Sequence, residues 1–363
     1  MNAVSEETRA SSTWAEIHAQ PDIWRSWADA FDFGEVRAWV RRLAVREVWF
    51  CGAGTSAYIG DIIAAGLPLA GPIRFRSVPS TDLVSRPGYY LKNPPEDLLI
   101  VNFGRSGNSS ETLGTLKAVA ALAPGTPMLN ITCNPEGALA RDTSGRTIVL
   151  PEACHDAGFA MTSSFSTMLL TALAIFDGDA DVAGKFRRLA DLADAALPGL
   201  VERFAGTKAP ARAVFVGSGP LAFAARESAL KVMELSAGRI PALWDSALGF
   251  RHGPKSFVCD GTANFVLLSP DEDTRRYEND LVDELRVQFP GATTATIGTG
   301  GDFETGSIGD AAWDAVLSVL PAQIAGVIWS AQLGLNIDDP FAGQSTLSRV
   351  VSGVRLHPIE AAS

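Results

Sequence analysis

A stretch rich in glycine and hydroxyl side chains lies at residues 103–112, where the sequence reads FGRSGNSSET directly after a short apolar run. Residues 113–122 then have the composition of a helix. A helix that begins after such a loop presents free backbone N–H groups and the positive end of its dipole, and hydroxyl groups add further donors. We therefore predict a phosphate site here. The residues expected to bind the phosphate are Arg105, Ser106, Asn108, Ser109 and Thr112.

The same loop has a purely structural interpretation, in which Ser109 or Ser110 only caps the helix that follows. The corresponding loop in the second half, residues 269–273, is acidic, and its carboxylates would repel a phosphate. The sequence therefore predicts one phosphate site per chain, supplied by the first half.

A second loop, GAGTSA at residues 52–57, matches the pattern G-x-G-x-x-A, which is a weak fingerprint of dinucleotide binding. The acidic residue that should end the next strand is missing, because that strand ends in VPST at residues 78–81, and no Walker pattern occurs. A nucleotide site is therefore the weaker alternative. We expect instead that Thr55 and Ser56 line the sugar pocket at the carboxyl edge of the sheet.

Residues 226–235 predict a helix with Glu227, Lys231 and Glu234 on one stripe, at positions i, i+4 and i+7. Taken alone, such a stripe is typical of a solvated surface with ion pairs. Downstream, His252 lies before a Gly-Pro pair that predicts a tight bend. An imidazole in a loop beside a carboxylate-bearing helix is a candidate acid/base, and a structural histidine is the alternative.

Short apolar runs alternate with helix-like stretches along the chain, which is typical of parallel strands covered by helices on both faces. The predicted strands are residues 48–51, 73–78, 98–103, 128–132 and 147–150, followed by 214–216, 265–268, 295–298 and 316–320. The order of elements recurs at nearly one offset, which indicates a duplicated domain. The offsets are 165 between Gly52 and Gly217, 167 between Leu98 and Phe265, and 170 between Leu150 and Leu320.

We therefore predict an α/β protein with two tandem domains, each a parallel sheet flanked by helices. The predicted divisions are an N-terminal arm at 1–34, a first domain at 35–180, a helical linker at 181–205 and a second domain at 206–363. The arm carries three tryptophans and two phenylalanines, so we expect it to pack on the body or on a second subunit.

Composition bears on the class of function. The chain has 363 residues and a net charge of −11. This charge argues against a nucleic-acid-binding surface, which needs a basic stripe. The N-terminus lacks the basic and apolar regions of a signal peptide, and the longest apolar run that we identify, about residues 169–176, is too short to span a membrane. We expect a cytoplasmic protein without nucleic-acid or membrane partners. Scattered cysteines and histidines predict reduced thiols and no metal site.

Several motifs together resemble the SIS domain family of sugar isomerases. They are Gly-x-Gly-Thr-Ser at 52–56, Ser-Gly-x-Ser at 106–109, Glu-Ser-Ala-Leu-Lys-x-x-Glu at 227–234 and His-Gly-Pro at 252–254. Within the family the chain resembles the tagatose-6-phosphate ketose/aldose isomerase group, also described as galactosamine-6-phosphate deaminase/isomerase, and more distantly the isomerase half of glucosamine-6-phosphate synthase. Further similar segments are residues 13–17, 158–164, 249–256 and 348–354. The resemblance implies a flavodoxin-like three-layer αβα fold for both domains.

The resemblance also implies catalytic roles. Glu234 matches the carboxylate that moves a proton between C1 and C2, and Lys231 matches a lysine that assists transfer at oxygen. His252 matches the ring-opening histidine, which the synthase takes from the neighbouring subunit. The C-terminal catalytic lysine of the synthase has a loose counterpart in Arg349. This chemistry needs no metal or redox cofactor, since one carboxylate can reach both carbons.

These observations favour an enzyme that opens the ring of an aminosugar 6-phosphate, galactosamine or glucosamine 6-phosphate, and acts as an aldose–ketose isomerase and deaminase. A plain ketose/aldose isomerase of the tagatose-6-phosphate type shares most of this machinery and is one alternative. A non-catalytic sugar-phosphate sensor is another, although the short acidic arm does not supply the DNA-binding domain such sensors usually carry. We expect a homodimer with shared active sites, because the His252 turn would have to reach a phosphate site across an interface.

Overall fold

The computed structural model describes residues 4–68, 71–344 and 347–359, which form two compact units. The first unit comprises residues 30–68, 71–155, 164–180 and 347–359, and the second comprises residues 4–29, 156–163 and 181–344. The predicted arm and linker therefore both belong mainly to the second unit. Each unit is built around one parallel sheet with helices, so the predicted fold class is confirmed.

The strands alternate with helices along most of the chain. The strands are β1 (Glu47–Cys51), β2 (Arg74–Ser77), β3 (Leu98–Gly104), β4 (Met128–Thr132), β5 (Arg146–Val149), β6 (Arg212–Gly217), β7 (Ala242–Ser246), β8 (Thr262–Leu267) and β9 (Thr293–Ile297). The helices are α1 (Glu6–Arg9), α2 (Ser12–Ala30), α3 (Phe33–Arg42), α4 (Thr55–Gly66), α5 (Ser80–Ser85), α6 (Pro87–Leu91), α7 (Ser110–Leu122), α8 (Ala138–Arg141), α9 (Ser163–Phe176), α10 (Val182–Ala205), α11 (Pro220–Leu235), α12 (Glu272–Gln288) and α13 (Ala311–Gln332). Short 3-10 turns are formed by Glu152–Cys154, Gly249–His252 and Pro254–Phe257.

The sheet of the first unit has the strand order β2-β1-β3-β4-β5. Every residue of β1, β3 and β4 is buried, whereas the edge strands β2 and β5 are partly exposed. The central strands are mostly apolar, as is typical of parallel strands that are covered on both faces. The chain leaves β1 for β2 on one side, and β3 lies on the other. The carboxyl ends of β1 and β3 therefore form a topological switch point, where open α/β sheets bind ligands.

The sheet of the second unit, β7-β6-β8-β9, repeats the order of the first four strands of the other sheet. Its central helix is α13, which is long and apolar enough to cross a membrane by length and composition alone. In the fold, 94% of its most apolar window is buried, as in the core helix of a globular unit. The prediction that residues 169–176 are the longest apolar run was therefore wrong, because α13 is longer.

The N-terminal arm packs on the body of the second unit, as one of the two expected alternatives. Trp24 of α2 is fully buried, and the amide of Gln20 donates a 2.9 Å hydrogen bond to Gln323 Oε1 of α13. The carboxylate of Asp338 accepts the backbone N–H groups of residues 12 and 13, both at 2.8 Å, and so caps the start of α2.

Two predictions of secondary structure were wrong. Residues 316–320, predicted as a strand, lie inside α13, so the third offset of the proposed duplication does not join equivalent elements. A short apolar run fits a strand and a buried helix equally well, and periodicity alone cannot separate them. Conversely, residues 242–246 form β7, which is missing from the predicted strands.

Candidate active site

The switch point of the first unit carries both predicted loops. Cys51 of β1 pairs with Asn102 of β3, so the loops that follow these strands leave the same edge of the sheet. Thr55 and Ser56 begin α4, and both are buried. Helix α7 begins at Ser110, directly after the predicted phosphate loop. Two helix N-termini, each a source of backbone N–H groups, therefore start at the edge where a ligand is expected.

The backbone of the phosphate loop is held from the side of β4. Gly107 has φ +63°, in the left-handed region that favours glycine. The hydroxyl of Thr132 donates to the carbonyl of Gly104 at 2.7 Å, and the amide of Asn134 donates to the carbonyl of Ser106 at 3.0 Å. The end of β4 and the loop after it therefore fix the chain that would surround an anion.

Ser109 and Thr112 form the cap of α7. Ser109 Oγ accepts the backbone N–H of Thr112 at 3.3 Å and lies 2.7 Å from Thr112 Oγ1. The capping interpretation is therefore correct for Ser109. It does not conflict with a phosphate site, because each hydroxyl combines one donor with two acceptor positions and the cap uses only part of this capacity.

Ser106 and Asn108 also make contacts within the loop region. Ser106 Oγ accepts the backbone N–H of Asn108 at 3.3 Å, and Asn108 Oδ1 accepts the N–H of Ala138 at 2.9 Å. The side chain of Asn108 is exposed, and that of Ser106 is half-buried. The acceptor end of Asn108 therefore serves the fold, and its NH2 group is the end suited to an anion.

The C-terminal segment of the first unit lies against the phosphate loop. The guanidinium of Arg105, which is buried, donates to the carbonyl of Arg349 at 3.0 Å. The N–H of Ser110 donates to the carbonyl of Val351, and Ser110 Oγ accepts the N–H of Val354, both at 3.2 Å. Arg105, predicted as a phosphate ligand, is thus engaged with the C-terminal segment, and Arg349 is brought to the edge of the loop.

A buried carboxylate lies near the corresponding loop of the second unit. Glu278 of α12 is fully buried, and its Oε2 accepts the backbone N–H of Ser269 at 2.7 Å, just beyond the end of β8. Burial raises the pKa of Glu278, although hydrogen bonds from Ser269 and Ser218 act in the other direction. The second unit therefore has an internal carboxyl group near the loop that corresponds to the predicted phosphate loop of the first unit.

Helix α11 carries an ion-pair chain on the predicted stripe. Lys231 Nζ lies 3.3 Å from Glu227 Oε1 and donates a 2.6 Å hydrogen bond to Glu234 Oε2. The side chains of Glu227 and Lys231 are fully buried, while 23% of the Glu234 side chain is exposed. The stripe is therefore not the solvated surface that its spacing alone suggests.

The charge state of Lys231 follows from two opposing effects. Burial alone would lower the pKa of its ammonium group, because a low-dielectric interior disfavours the charged form. The charges of Glu227 and Glu234, and hydrogen bonds to both, outweigh this effect and hold the pKa of Lys231 above its ordinary value. Lys231 is thus a fixed cation beside Glu234. Of the three ion-paired residues, Glu234 is the one that solvent reaches. A part-exposed carboxylate held in this way is suited to proton transfer.

His252 lies at the end of the 3-10 turn Gly249–His252, and its side chain is exposed. Gly253, which follows, has φ +133° and so provides the predicted bend. Phe250 is fully buried and anchors the turn, and Arg251 Nε donates to Glu284 Oε2 of α12 at 2.7 Å. The turn is therefore anchored to the second unit, and it exposes the His252 imidazole to solvent.

Sequence reasoning missed three features of these regions. They are the burial of Glu227, the contact of Glu284 with the His252 turn, and the packing of residues 347–359 against the phosphate loop. All three depend on contacts between residues that are distant in the sequence. The basic residues on both sides of His252 were a signal for the second feature. In the described ranges, no group of three or more His, Cys, Asp and Glu side chains is placed to hold a metal ion.

Comparison with known proteins adds three relatives. The SIS domain model matches residues 44–177. D-galactosamine-6-phosphate deaminase AgaS of Escherichia coli is 38% identical, over 97% of this chain and 97% of that protein. The crystal structure of tagatose-6-phosphate ketose/aldose isomerase from Escherichia coli matches with a TM-score of 0.84 at 34% identity, covering 98% of this chain and 99% of that one. Glucosamine-6-phosphate deaminase from Thermotoga maritima matches with a TM-score of 0.74 at 25% identity, covering 94% and 99%.

Proposed function

The chain belongs to the SIS-domain family of sugar-phosphate isomerases and deaminases, and we propose that it converts an aminosugar 6-phosphate, galactosamine or glucosamine 6-phosphate, into a ketose 6-phosphate and ammonia. The observation that carries this proposal is the pairing of Glu234, a part-exposed carboxylate, with the buried cation Lys231. The similarity over the whole chain supports the choice of substrate class.

The phosphate loop is assigned to the 6-phosphate. Backbone N–H groups at the start of α7, the hydroxyls of Ser106, Ser109 and Thr112, and the NH2 group of Asn108 are the proposed donors. Thr55 and Ser56, at the neighbouring loop of the same switch point, are proposed to line the sugar pocket. A phosphate held there fixes the far end of the substrate, which places the reacting carbons at a constant distance from the loop.

The carbon chemistry is assigned to Glu234. After the ring opens, its carboxylate removes the proton from C2 and returns it to C1, while one N–H proton of the amine passes to O1. The amino aldehyde thereby becomes an imine at C2 with a hydroxyl at C1. Water adds across this imine, with its oxygen bonding to C2 and one of its protons passing to nitrogen. As the C2–N bond breaks, the second proton of the water also passes to nitrogen, so the balance is substrate plus water to ketose phosphate plus ammonia. A positioned acid/base of this kind typically contributes about 10²–10⁴-fold to the rate.

Ring opening is assigned to His252, whose exposed imidazole can take the proton of the C1 hydroxyl and supply one to the ring oxygen. Lys231 is fully buried, so we assign it to holding Glu234 in place and compensating its charge, with any contribution at the substrate oxygen made through that carboxylate.

We also propose a cytoplasmic homodimer in which His252 of each subunit serves the phosphate site of its partner. The related synthase takes its ring-opening histidine from the neighbouring subunit, and the exposure of the His252 turn is compatible with the same arrangement here. A plain ketose/aldose isomerase is the second candidate, because the matched solved structure from Escherichia coli carries that description.

Ammonia release separates the two candidates. The purified protein is given galactosamine 6-phosphate and, in parallel, glucosamine 6-phosphate, with Glu234→Gln as the blank. Release of ammonia together with a ketose phosphate is the expected result, and the faster epimer names the substrate. If neither substrate releases ammonia while tagatose 6-phosphate and galactose 6-phosphate interconvert, the protein is the plain isomerase. Running the reaction in D2O should place deuterium at C1 of the ketose if Glu234 exchanges its proton with solvent.

A further inference from the structure

We infer that Glu284 of α12 is a positioning residue that holds the His252 turn in its working place; this inference rests on the ring-opening role proposed above for His252. Glu284 lies 32 residues beyond His252 and belongs to a different element, so the chain sequence alone does not connect them. Its relevance comes from the two side chains that it holds.

The carboxylate of Glu284 accepts hydrogen bonds from the turn on both sides of His252. Oε2 of Glu284 accepts a 2.7 Å hydrogen bond from Nε of Arg251, the residue before His252. Oε1 of Glu284 accepts a hydrogen bond from Nζ of Lys255, three residues after it. Both oxygens are thus used, and His252 lies between the two attachment points.

The His252 turn needs these contacts with Glu284 because its own backbone gives it little rigidity. It consists of two short 3-10 segments, Gly249–His252 and Pro254–Phe257, separated by Gly253. A 3-10 turn has poorer hydrogen-bond geometry than an α-helix, and a glycine at φ +133° has a wide choice of conformations. Displacing a catalytic group by about 1 Å can cost about 10²-fold in rate.

The charge of Glu284 matters as well as its contacts. Arg251 and Lys255 place two cations on the same turn as His252, and these cations would repel one another without a shared counter-ion. Glu284 supplies the opposite charge, and 23% of its side chain is exposed, so water screens the three charges only in part. Loss of Glu284 would therefore alter both the place and the surroundings of His252.

The test is Glu284→Gln, which keeps the shape of the side chain and removes its charge. We expect kcat with the cyclic substrate to fall about 10–100-fold, as for a displaced catalytic group. The Kd of an open-chain amino alditol 6-phosphate, which needs no ring opening, should stay within about twofold, because positioning of His252 acts on turnover and not on phosphate binding. Asp283→Asn, an exposed neighbour on α12, is the matched control and should leave both quantities unchanged.

A double variant isolates the route through His252. If Glu284 acts through the histidine, Glu284→Gln should cause no further loss in a His252→Gln background, since coupled residues are not additive. A full additional loss in that background, or an unchanged kcat in Glu284→Gln, would overturn the inference. Lys255→Met removes one of the two attachments and should give a smaller loss of kcat, which provides a second variant if Glu284→Gln folds poorly.

The two levels of the proposal fail in different ways. If His252→Gln turns over at the rate of the unmodified protein, the ring-opening role is wrong and the inference about Glu284 is lost with it. If His252→Gln is inactive while Glu284→Gln is fully active, the proposed function stands and only the positioning role is wrong.

Discussion

Nζ of Lys231 lies 2.6 Å from Oε2 of Glu234 and 3.3 Å from Oε1 of Glu227, so one fully buried cation holds two carboxylates of helix α11. Glu227 is buried as completely as the lysine, whereas Glu234 reaches the surface. The proposed base is therefore attached to a charge pair in the interior. Taking charges out of water is costly, and the pair is tolerated only because its members compensate one another.

We predict that Lys231→Met strongly destabilises the protein, because it leaves the charge of Glu227 buried without its cation. Breaking a buried pair in this way typically costs about 3–5 kcal/mol. Urea unfolding measures the loss, with the exposed lysine variant Lys208→Met as control, which should stay within about 0.5 kcal/mol of the unmodified protein. Adding Glu227→Gln to Lys231→Met should recover part of the loss. Equal stability of the two lysine variants would contradict the role of Lys231 as a buried partner.

We predict that Glu234→Gln abolishes turnover but leaves substrate binding measurable. The amide keeps the size of the side chain and can still contact Lys231, but it cannot carry a proton between carbons. Turnover should fall by at least about 10²–10⁴-fold. Calorimetric titration with substrate checks binding, and Glu272→Gln, an exposed glutamate on α12, serves as the control. Unchanged turnover in Glu234→Gln would mean that another group is the base.

Mixing two inactive variants tests the proposed sharing of sites between subunits. If His252 serves the partner's phosphate site, a dimer of one Glu234→Gln subunit and one His252→Gln subunit has one site with both defects and one intact site. Random reassembly should then restore about a quarter of the unmodified activity, as the two-fold symmetry of a dimer dictates. Refolding the variants together, against each refolded alone, measures this. No recovery on mixing would place His252 and Glu234 of one site in the same subunit.

We predict that Gly107→Ala weakens phosphate binding. The left-handed φ of +63° costs a residue with a Cβ about 1–2 kcal/mol. That Cβ would also lie 3.0 Å from Leu139 Cβ and 3.2 Å from Thr132 Oγ1, so the loop must shift. We expect KM to rise about tenfold, equivalent to about 1.4 kcal/mol. Gly125→Ala is the matched control, because φ is +87° there and a Cβ meets no atom within 4 Å. If both variants change KM equally, the crowding at residue 107 is not responsible.

The parts of the fold that the sequence predicted well are those where local composition and tertiary burial agree. Strands β1, β3 and β4 are mostly apolar and are buried throughout, so their positions could be predicted within a few residues. The loops after β1 and β3 were recognisable because their glycines and hydroxyls follow such strands directly. Their meeting at one switch point depends on the strand order, which the sequence analysis did not predict and the sheet shows.

The parts that failed depend on what covers an element. Strand β7 is half-exposed along its length, so its sequence lacks the continuous apolar signal of the central strands. Residues 316–320 look like a strand because α13 is buried on all sides and carries no polar stripe. Glu227 is buried by tertiary packing, and Glu284 forms ion pairs with Arg251 and Lys255 of another element. The spacing of residues along one helix cannot reveal either feature.

Glu16 gives a prediction about pH. Its Oε1 accepts the backbone N–H groups of Ala157 at 2.5 Å and Gly158 at 3.1 Å, while its Oε2 is buried and has no hydrogen-bond partner among the described residues. Burial, reinforced by the negative charge of Asp156, raises the pKa of Glu16 from 4.5 to about 7. Between these two values the folded protein holds a proton that the unfolded chain has lost. The contribution of Glu16 to stability therefore falls as the pH rises through this window and is constant above it.

We predict that Glu16→Gln removes this part of the pH dependence, because the amide still accepts the two N–H groups but cannot ionise. Relative to the unmodified protein, the variant should gain stability from pH 5 to pH 8. Urea unfolding at several pH values measures the difference in free energy of unfolding between the variant and the unmodified protein. Other groups with a raised pKa, such as Asp314 at about 6, contribute equally to both proteins and cancel in this difference. Glu7→Gln, an exposed neighbour, should show no such trend. Parallel curves for Glu16→Gln and the unmodified protein would mean that the Glu16 carboxyl is ionised in the fold at pH 5, with its pKa near the ordinary value.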